Sequence, residues 1–92
     1  MVNAMIPDTF IELYYGKYKT IDLHNLTKEA AKADLIHALN SVDFDIKCLV
    51  VVHGYHGGTV IKNLVRKEFD SPLVKEKVNL DAGRTIFILK ND

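Results

Sequence analysis

The chain has 92 residues, of which 48% are hydrophobic and 26% are charged, and twelve basic side chains balance twelve acidic ones. This length supports one domain with one modest core, and the composition excludes a disordered chain. The zero net charge argues against a tight, non-specific DNA binder, so any contact with nucleic acid must come from a local patch. A single cysteine excludes an internal disulfide and a multi-cysteine zinc site.

No targeting or membrane-spanning segment is evident in the sequence. The N-terminus carries no basic stretch followed by an apolar run and a cleavage site, and no apolar stretch approaches the roughly 20 residues of a membrane span. We therefore expect a cytoplasmic protein without membrane contacts, as a monomer or weak dimer.

Residues 1–17 are expected to form an N-terminal extension that packs on the domain. The segment contains an apolar and aromatic cluster of Phe10, Ile11, Leu13, Tyr14 and Tyr15, closed by Gly16. Packing of this cluster against a sheet is the simpler interpretation. The alternative is that the tyrosines, together with Tyr18, stack on unpaired bases, but no basic stripe lies between them.

The first predicted strand runs from Tyr18 to His24. Because strand side chains alternate, Asp22 and His24 share the outward face at its end. Thr27 is expected to cap the following helix, in which His37 is a surface residue. The apolar stripe of that helix comprises Ala31, Leu35, Ala38, Leu39 and Val42.

The second predicted strand is the nearly unbroken apolar run from Ile46 to His53. Such a run is typical of a strand covered on both faces, and Cys48 within it is expected to pack as a small hydrophobe. A glycine-rich segment then leads into a second helix, for which Thr59 is the expected cap. Its apolar face comprises Ile61, Leu64, Val65 and Phe69. Free backbone N–H groups at such a strand-to-helix turn can bind an anion.

Two further strands complete the predicted sheet. Leu73 to Leu80 carries three successive charged residues, which suits a sheet edge. A turn at 81–83 leads into the continuous apolar run Thr85 to Leu89, which we place inside the sheet. The order strand, helix, strand, helix, strand, strand predicts an α/β (α+β) two-layer sandwich with a four-stranded mixed sheet. Both helices are expected on one face, leaving the other partly open.

Polar side chains collect where the first two strands end. Ligands of open α/β sheets bind beyond the carboxyl ends of parallel strands, and Asp22, His24 and His53 lie at such ends. Neutral imidazole can accept a proton from an attacking hydroxyl, and imidazolium can protonate a leaving oxygen. These three residues are the candidate catalytic groups, with Asp22 orienting a histidine or holding a metal. No residue set is assigned as a dedicated metal site. Candidates for binding phosphate are Gly54, Tyr55, His56, Gly57, Gly58, Thr59, Lys62 and Arg66.

Two segments resemble the motifs of the Smr (small MutS-related) domain family. Ile-Asp-Leu-His at 21–24, followed by a helix, resembles the first motif, and the glycine-rich segment 53–59 resembles the second. Two departures stand out. Asn25 replaces a frequent glycine, and asparagine tolerates the left-handed backbone region. Tyr55 and His56 stand where many members have lysine and glycine, so that a basic phosphate contact is lost unless His56 supplies it.

The resemblance implies a fold like the C-terminal domain of a bacterial translation initiation factor, with strand order 1-2-4-3, over residues 18–92. It also implies nucleic-acid binding and cleavage or nicking of DNA or RNA. Histidine chemistry on RNA would need no cofactor, whereas DNA cleavage would call for Mg²⁺ or Mn²⁺. The alternatives are a non-catalytic nucleic-acid-binding module and a regulatory domain that binds a small phosphorylated ligand.

Overall fold

The computed structural model describes residues 7–54 and 59–90. Its elements, in chain order, are α1 (Asp8–Tyr15), β1 (Tyr18–Asp22), α2 (Lys28–Ser41), β2 (Cys48–Val52), α3 (Val60–Asn63, continuing as a π-helical turn over Leu64–Glu68), β3 (Val74–Asp81) and β4 (Arg84–Leu89). Within these two ranges, no helix is long and apolar enough to cross a membrane.

The four strands form one mixed sheet in the order β1-β2-β4-β3. β1 and β2 are parallel, and β4 is antiparallel to both of its neighbours. The interior strand β4 is apolar from Ile86 to Leu89, and its buried Arg84 is paired with Asp81 and Asp8. The charged strand β3 lies at the edge. The predicted fold is confirmed, with the apolar run inside the sheet and the charged strand at its rim.

One face of the sheet is covered by α2 and α3, as predicted. The main core on this face includes residues from both helices and from the central strands: Ala31, Leu35, Leu39, Leu49, Val51, Leu64, Val65, Phe69, Phe87 and Leu89. The buried Ala31, near the start of α2, lets that helix lie close to the sheet. The Thr27 hydroxyl caps α2 by accepting a hydrogen bond from the Ala30 N–H at 3.1 Å, which confirms the predicted cap.

The opposite face is less open than the sequence predicted. Helix α1 packs there through Ile11, which is buried against Cys48, Val50 and Ile86. The apolar cluster before Gly16 is thus an amphipathic helix, and its side toward solvent leaves Tyr14 and Leu13 largely exposed. Cys48 packs as predicted, and burial raises the pKa of its thiol to about 11. The division of the chain at residue 17 stays a prediction.

Several elements have other ends than the sequence predicted: β2 covers Cys48–Val52 instead of Ile46 to His53, and two further differences lie near the site. β1 stops at Asp22, two residues early, because the chain turns there and the Leu26 N–H bonds to the Leu23 carbonyl at 3.2 Å. Asn25 stands in this turn with φ of 68°, which confirms the left-handed conformation expected of it. Thr59 occupies the cap position of α3, but its side chain makes no capping hydrogen bond.

Candidate functional site

A cavity of about 470 Å³ opens beyond the carboxyl ends of β1 and β2, where the sequence placed the site. His24 and His53 both line it. The other lining residues come from the turn after β1, the start of α2, the end of β2 and the start of α3: Asn25, Leu26, Thr27, Lys28, Val52, Gly54, Val60 and Ile61. The parallel pairing of the two strands, with Asp22 opposite Val52, brings the two histidines to this shared space.

Asp22 and His24 form a hydrogen-bonded pair at the edge of the cavity. Asp22 Oδ1 lies 2.5 Å from His24 Nδ1 and also accepts the His24 backbone N–H at 3.1 Å. Both side chains are 54% exposed. Burial would raise the pKa of Asp22, but the two hydrogen bonds from His24 outweigh it, so the pKa is lowered.

The state of the His24 ring follows from this pairing. An ionised carboxylate only accepts hydrogen bonds, so Nδ1 carries the proton that Asp22 accepts. Nε2 is then the ring nitrogen left for a substrate, and within residues 7–54 and 59–90 no group bonds to it. A water-accessible imidazole with an oriented ring and a free nitrogen can act as a general base.

His53 lies in the opposite environment, only 5% exposed. Its Nδ1 is 3.0 Å from the Gly54 carbonyl oxygen, and its Nε2 is 3.0 Å from the Thr85 hydroxyl. Burial lowers the pKa of His53, and the nearby Arg66 and Lys62 lower it further, whereas the Gly54 carbonyl and Asp81 oppose the shift. Both ring nitrogens therefore have protein partners, and the ring favours its neutral form.

Arg66 is drawn inward rather than toward solvent. Its Nε donates to the Thr85 hydroxyl at 2.7 Å, and its NH2 group donates to the carbonyls of Asp81 and Arg84 at 2.6 and 3.1 Å. The π-helical turn that follows Asn63 carries this side chain to the start of β4. Thr85, a buried hydroxyl at the head of an apolar strand, joins Arg66 to His53, and sequence analysis did not single it out.

The remaining predicted phosphate-binding residues are placed as follows. The N–H groups of His53 and Gly54 both donate to the Gly83 carbonyl, at 2.9 and 3.0 Å, so neither points to a ligand. Lys62 is half-buried near His53, and Thr59 is exposed. Tyr55, His56, Gly57 and Gly58 lie outside the described residues. Of the part of the chain that the structure describes, no group of three or more histidine, cysteine or acidic side chains is arranged to hold a metal ion.

At Gly54, the main chain that follows β2 comes close to His24, which follows β1. Its φ is 75°, and a Cβ built on it would lie 3.3 Å from the Cβ of His24. A side chain at this position would therefore press on His24 from a backbone conformation that favours glycine. The glycine is required by both its conformation and its close neighbour.

Comparison with known proteins supports the fold. No protein-family profile matches the chain, and no curated protein matches it. Among solved structures, the chain is similar to the Smr domain of Thermus thermophilus MutS2, with 22% sequence identity and a TM-score of 0.62. The superposition covers 78% of this chain and 98% of that one. The chain therefore has an Smr-like fold, as the motifs at its two strand ends predicted.

Proposed function

We propose that this domain binds nucleic acid and cleaves its phosphodiester bonds, with His24 as the acid–base group. The observation that carries the proposal is the Asp22–His24 pair at the edge of the cavity beyond β1 and β2. The His24 side chain is 54% exposed, and no described residue bonds to its Nε2, so a large substrate can approach it. The Smr-like fold supports nucleic acid as the partner.

With RNA as substrate, the chemistry needs no cofactor. Neutral His24 accepts the proton of a 2′-hydroxyl at Nε2, and the 2′-oxygen attacks the neighbouring phosphorus. The bond from phosphorus to the 5′-oxygen breaks, and the departing oxygen takes a proton from solvent. The products are a 2′,3′-cyclic phosphate and a 5′-hydroxyl. Asp22 holds the Nδ1 proton and stabilises the imidazolium that forms, as a carboxylate does in a catalytic triad.

With DNA as substrate, water must attack instead, because no 2′-hydroxyl is present. A divalent ion such as Mg²⁺ or Mn²⁺ would then activate the water, with the Asp22 carboxylate as the nearest oxygen ligand. Phosphate binding is assigned to Lys62, Thr59 and the segment Tyr55, His56, Gly57 and Gly58. Gly54 and Arg66 are the weaker candidates, since the Gly54 N–H and two of the three guanidinium nitrogens of Arg66 already donate to protein groups.

The test is cleavage of end-labelled RNA and of supercoiled DNA, with and without chelator. We expect wild type to cut RNA in the presence of chelator and to leave a cyclic phosphate. His24→Ala should lose this activity by roughly 10²-fold or more, the scale of general acid–base catalysis. His37→Ala is the matched control, because His37 is an exposed histidine of α2. Equal cutting by wild type and His24→Ala would refute the assignment.

A non-catalytic nucleic-acid-binding module is the second candidate. It is favoured by the burial of His53, which leaves His24 as the accessible imidazole among the described residues that line the cavity. In that case RNA would bind without being cut. The affinity would fall steeply with salt, because phosphate contacts release counterions. Weak salt dependence together with binding of a small phosphorylated ligand would favour a regulatory domain instead.

A further inference from the structure

A continuous hydrogen-bonded chain runs behind the cavity, from α3 to β4 and back to the end of β2. It joins Arg66 to Thr85, Thr85 to His53, and His53 to the Gly54 carbonyl. Thr85 is fully buried and His53 nearly so. The Gly54 backbone lies close to His24, since a Cβ added at Gly54 would be 3.3 Å from the His24 Cβ. When every buried donor and acceptor in such a chain has a hydrogen-bond partner, the side chains keep one arrangement, because any other arrangement leaves a donor or an acceptor unpaired.

The direction of each hydrogen bond in this chain follows from the groups themselves. A carbonyl oxygen only accepts, so His53 Nδ1 must carry the proton that the Gly54 oxygen receives. Arg66 Nε only donates, so the Thr85 oxygen accepts there. The Thr85 oxygen could accept a second bond, but its own proton would then have no acceptor among these four groups, so we assign that proton to Nε2 of His53. All four groups are satisfied only with His53 neutral and protonated at Nδ1.

We infer that Arg66 and Thr85 are positioning residues, which hold His53 as its neutral Nδ1–H tautomer and thereby fix Gly54 against His24. This inference rests on the proposed function for its effect on cleavage. Arg66 acts on the reaction through protein groups and does not bind the phosphate backbone. His53 acts in the same way, by holding the Gly54 carbonyl at the end of β2. The reacting imidazole is that of His24.

The anchoring of Arg66 separates this role from phosphate binding. Two of its nitrogens make three hydrogen bonds to Thr85 and to the carbonyls of Asp81 and Arg84. A guanidinium held by a hydroxyl and two carbonyls is fixed in direction, whereas a phosphate contact needs its donors turned to the ligand. Lys67, the next residue, is exposed. Replacing it removes one positive charge without touching this hydrogen-bonded chain, so it is the control for loss of charge.

The first measurement is the tautomer of His53 by long-range ¹H–¹⁵N correlation NMR on histidine-labelled protein. Variants in which one histidine at a time is replaced assign each ring signal to its residue. We expect a protonated Nδ1 and an unprotonated Nε2 in wild type. Thr85→Ser should keep this pattern because it keeps the hydroxyl. Thr85→Val should shift the tautomer and the ring signals of His24. A wild-type His53 protonated at Nε2 would overturn the inference, and this measurement needs no variant to fold.

The second measurement separates kcat from substrate binding. Thr85→Val and Arg66→Met should lower kcat for RNA cleavage by up to about a hundredfold, the scale expected for a misplaced reacting group, with Kd for RNA unchanged. Thr85→Ser should restore kcat, and Lys67→Met should change neither quantity. Melting curves identify any variant that has lost its fold.

The opposite pattern would show that Arg66 is a phosphate contact. Arg66→Met would then weaken RNA binding at full kcat, and the slope of log Kd against log salt would fall by about one. Should wild type cut nothing, the proposed chemistry fails by itself. The tautomer and the RNA affinity of Arg66→Met would still decide the roles of Arg66 and Thr85.

Discussion

The ends of the two parallel strands β1 and β2 carry the same side chain in opposite environments. At the end of β1, His24 is exposed and bonds to Asp22 through Nδ1, and no other described residue bonds to its Nε2. At the end of β2, His53 is buried and has partners on both nitrogens. Both line one cavity. A histidine that lines a site is therefore not a reacting group for that reason alone. Its role depends on whether a ring nitrogen is left for a substrate.

The difference comes from what each strand faces. His24 follows a turn at the outer strand of the sheet, where solvent covers one side. His53 continues β2, whose neighbours on both sides are strands, so that β4 and α3 enclose the ring. A histidine in the first position can exchange protons with a ligand. In the second position it holds the main chain in place.

The largest expected effect is on the exposed pair. Asp22→Asn should lower RNA cleavage by about a hundredfold, because the amide can donate to Nδ1 and so favour the wrong tautomer of His24. The free energy of unfolding should change by less than about 0.5 kcal/mol, as is usual for exposed positions. The measurements are initial cleavage rates and urea unfolding. An unchanged rate would mean that Asp22 does not orient the reacting group.

At the buried histidine, the expected effect is on stability first. His53→Ala leaves the Thr85 hydroxyl and the Gly54 carbonyl without their partner, at a cost of about 2 kcal/mol in the free energy of unfolding. For a domain of this size that corresponds to a fall in Tm of roughly 10 °C. His37→Ala, at an exposed position of α2, is the control and should melt as wild type does. A wild-type melting temperature for His53→Ala would contradict the buried network.

Gly54 joins the two environments and should show a smaller effect of both kinds. Gly54→Ala places a side chain at a positive φ, which costs about 1–2 kcal/mol, and presses its Cβ on that of His24. We expect reduced stability together with reduced kcat. Gly16→Ala is the control, because Gly16 also has a positive φ but a Cβ added there would meet the side chain of Lys47 and not the site. A kcat loss of the same size in both variants would show that strain alone, and not contact with His24, is responsible.

Sequence analysis predicted the fold well because its signals are local. Alternation of side chains, the charge load of β3 and the apolar run of β4 each describe one element, and the last two agree with the strand order that the resemblance to the Smr family implies. Residues 21–24 and 53–54 lie at the carboxyl ends of β1 and β2, and their role as a site stays a prediction. The helical form of the N-terminal cluster was missed, since α1 is only eight residues long and buries Ile11 while its large apolar residues Leu13 and Tyr14 are exposed.

The roles within the site were less accessible to sequence analysis because they depend on distant residues. Thr85 lies 32 positions after His53, and Arg66 lies 19 positions before Thr85. No local pattern joins them, and the π-helical turn that redirects Arg66 has no clear sequence signal. One clue was present: a lone hydroxyl within an otherwise apolar interior strand needs a buried partner. That clue would have pointed to Thr85 without identifying His53 or Arg66.

The smallest expected effect is on the pH dependence of stability. The residues at the two strand ends contribute to it in different pH ranges. Burial lowers the pKa of His53 below its unfolded value of about 6.5, with Arg66 and Lys62 reinforcing and Asp81 opposing the shift. Below pH about 6.5 the unfolded chain therefore binds a proton that the folded chain does not, and stability falls as the pH falls toward the folded pKa. The lowered pKa of Asp22 acts separately: its contribution to stability is present above the carboxyl's ordinary value of 3.8 and is lost at more acid pH.

Urea unfolding between pH about 7.5 and 5 should show the loss of stability due to His53 in wild type. The loss should be shallower in His53→Gln, because the substituted side chain does not titrate. Equal slopes for the two proteins would mean that His53 is free to protonate in the fold, and the contrast with His24 would no longer hold.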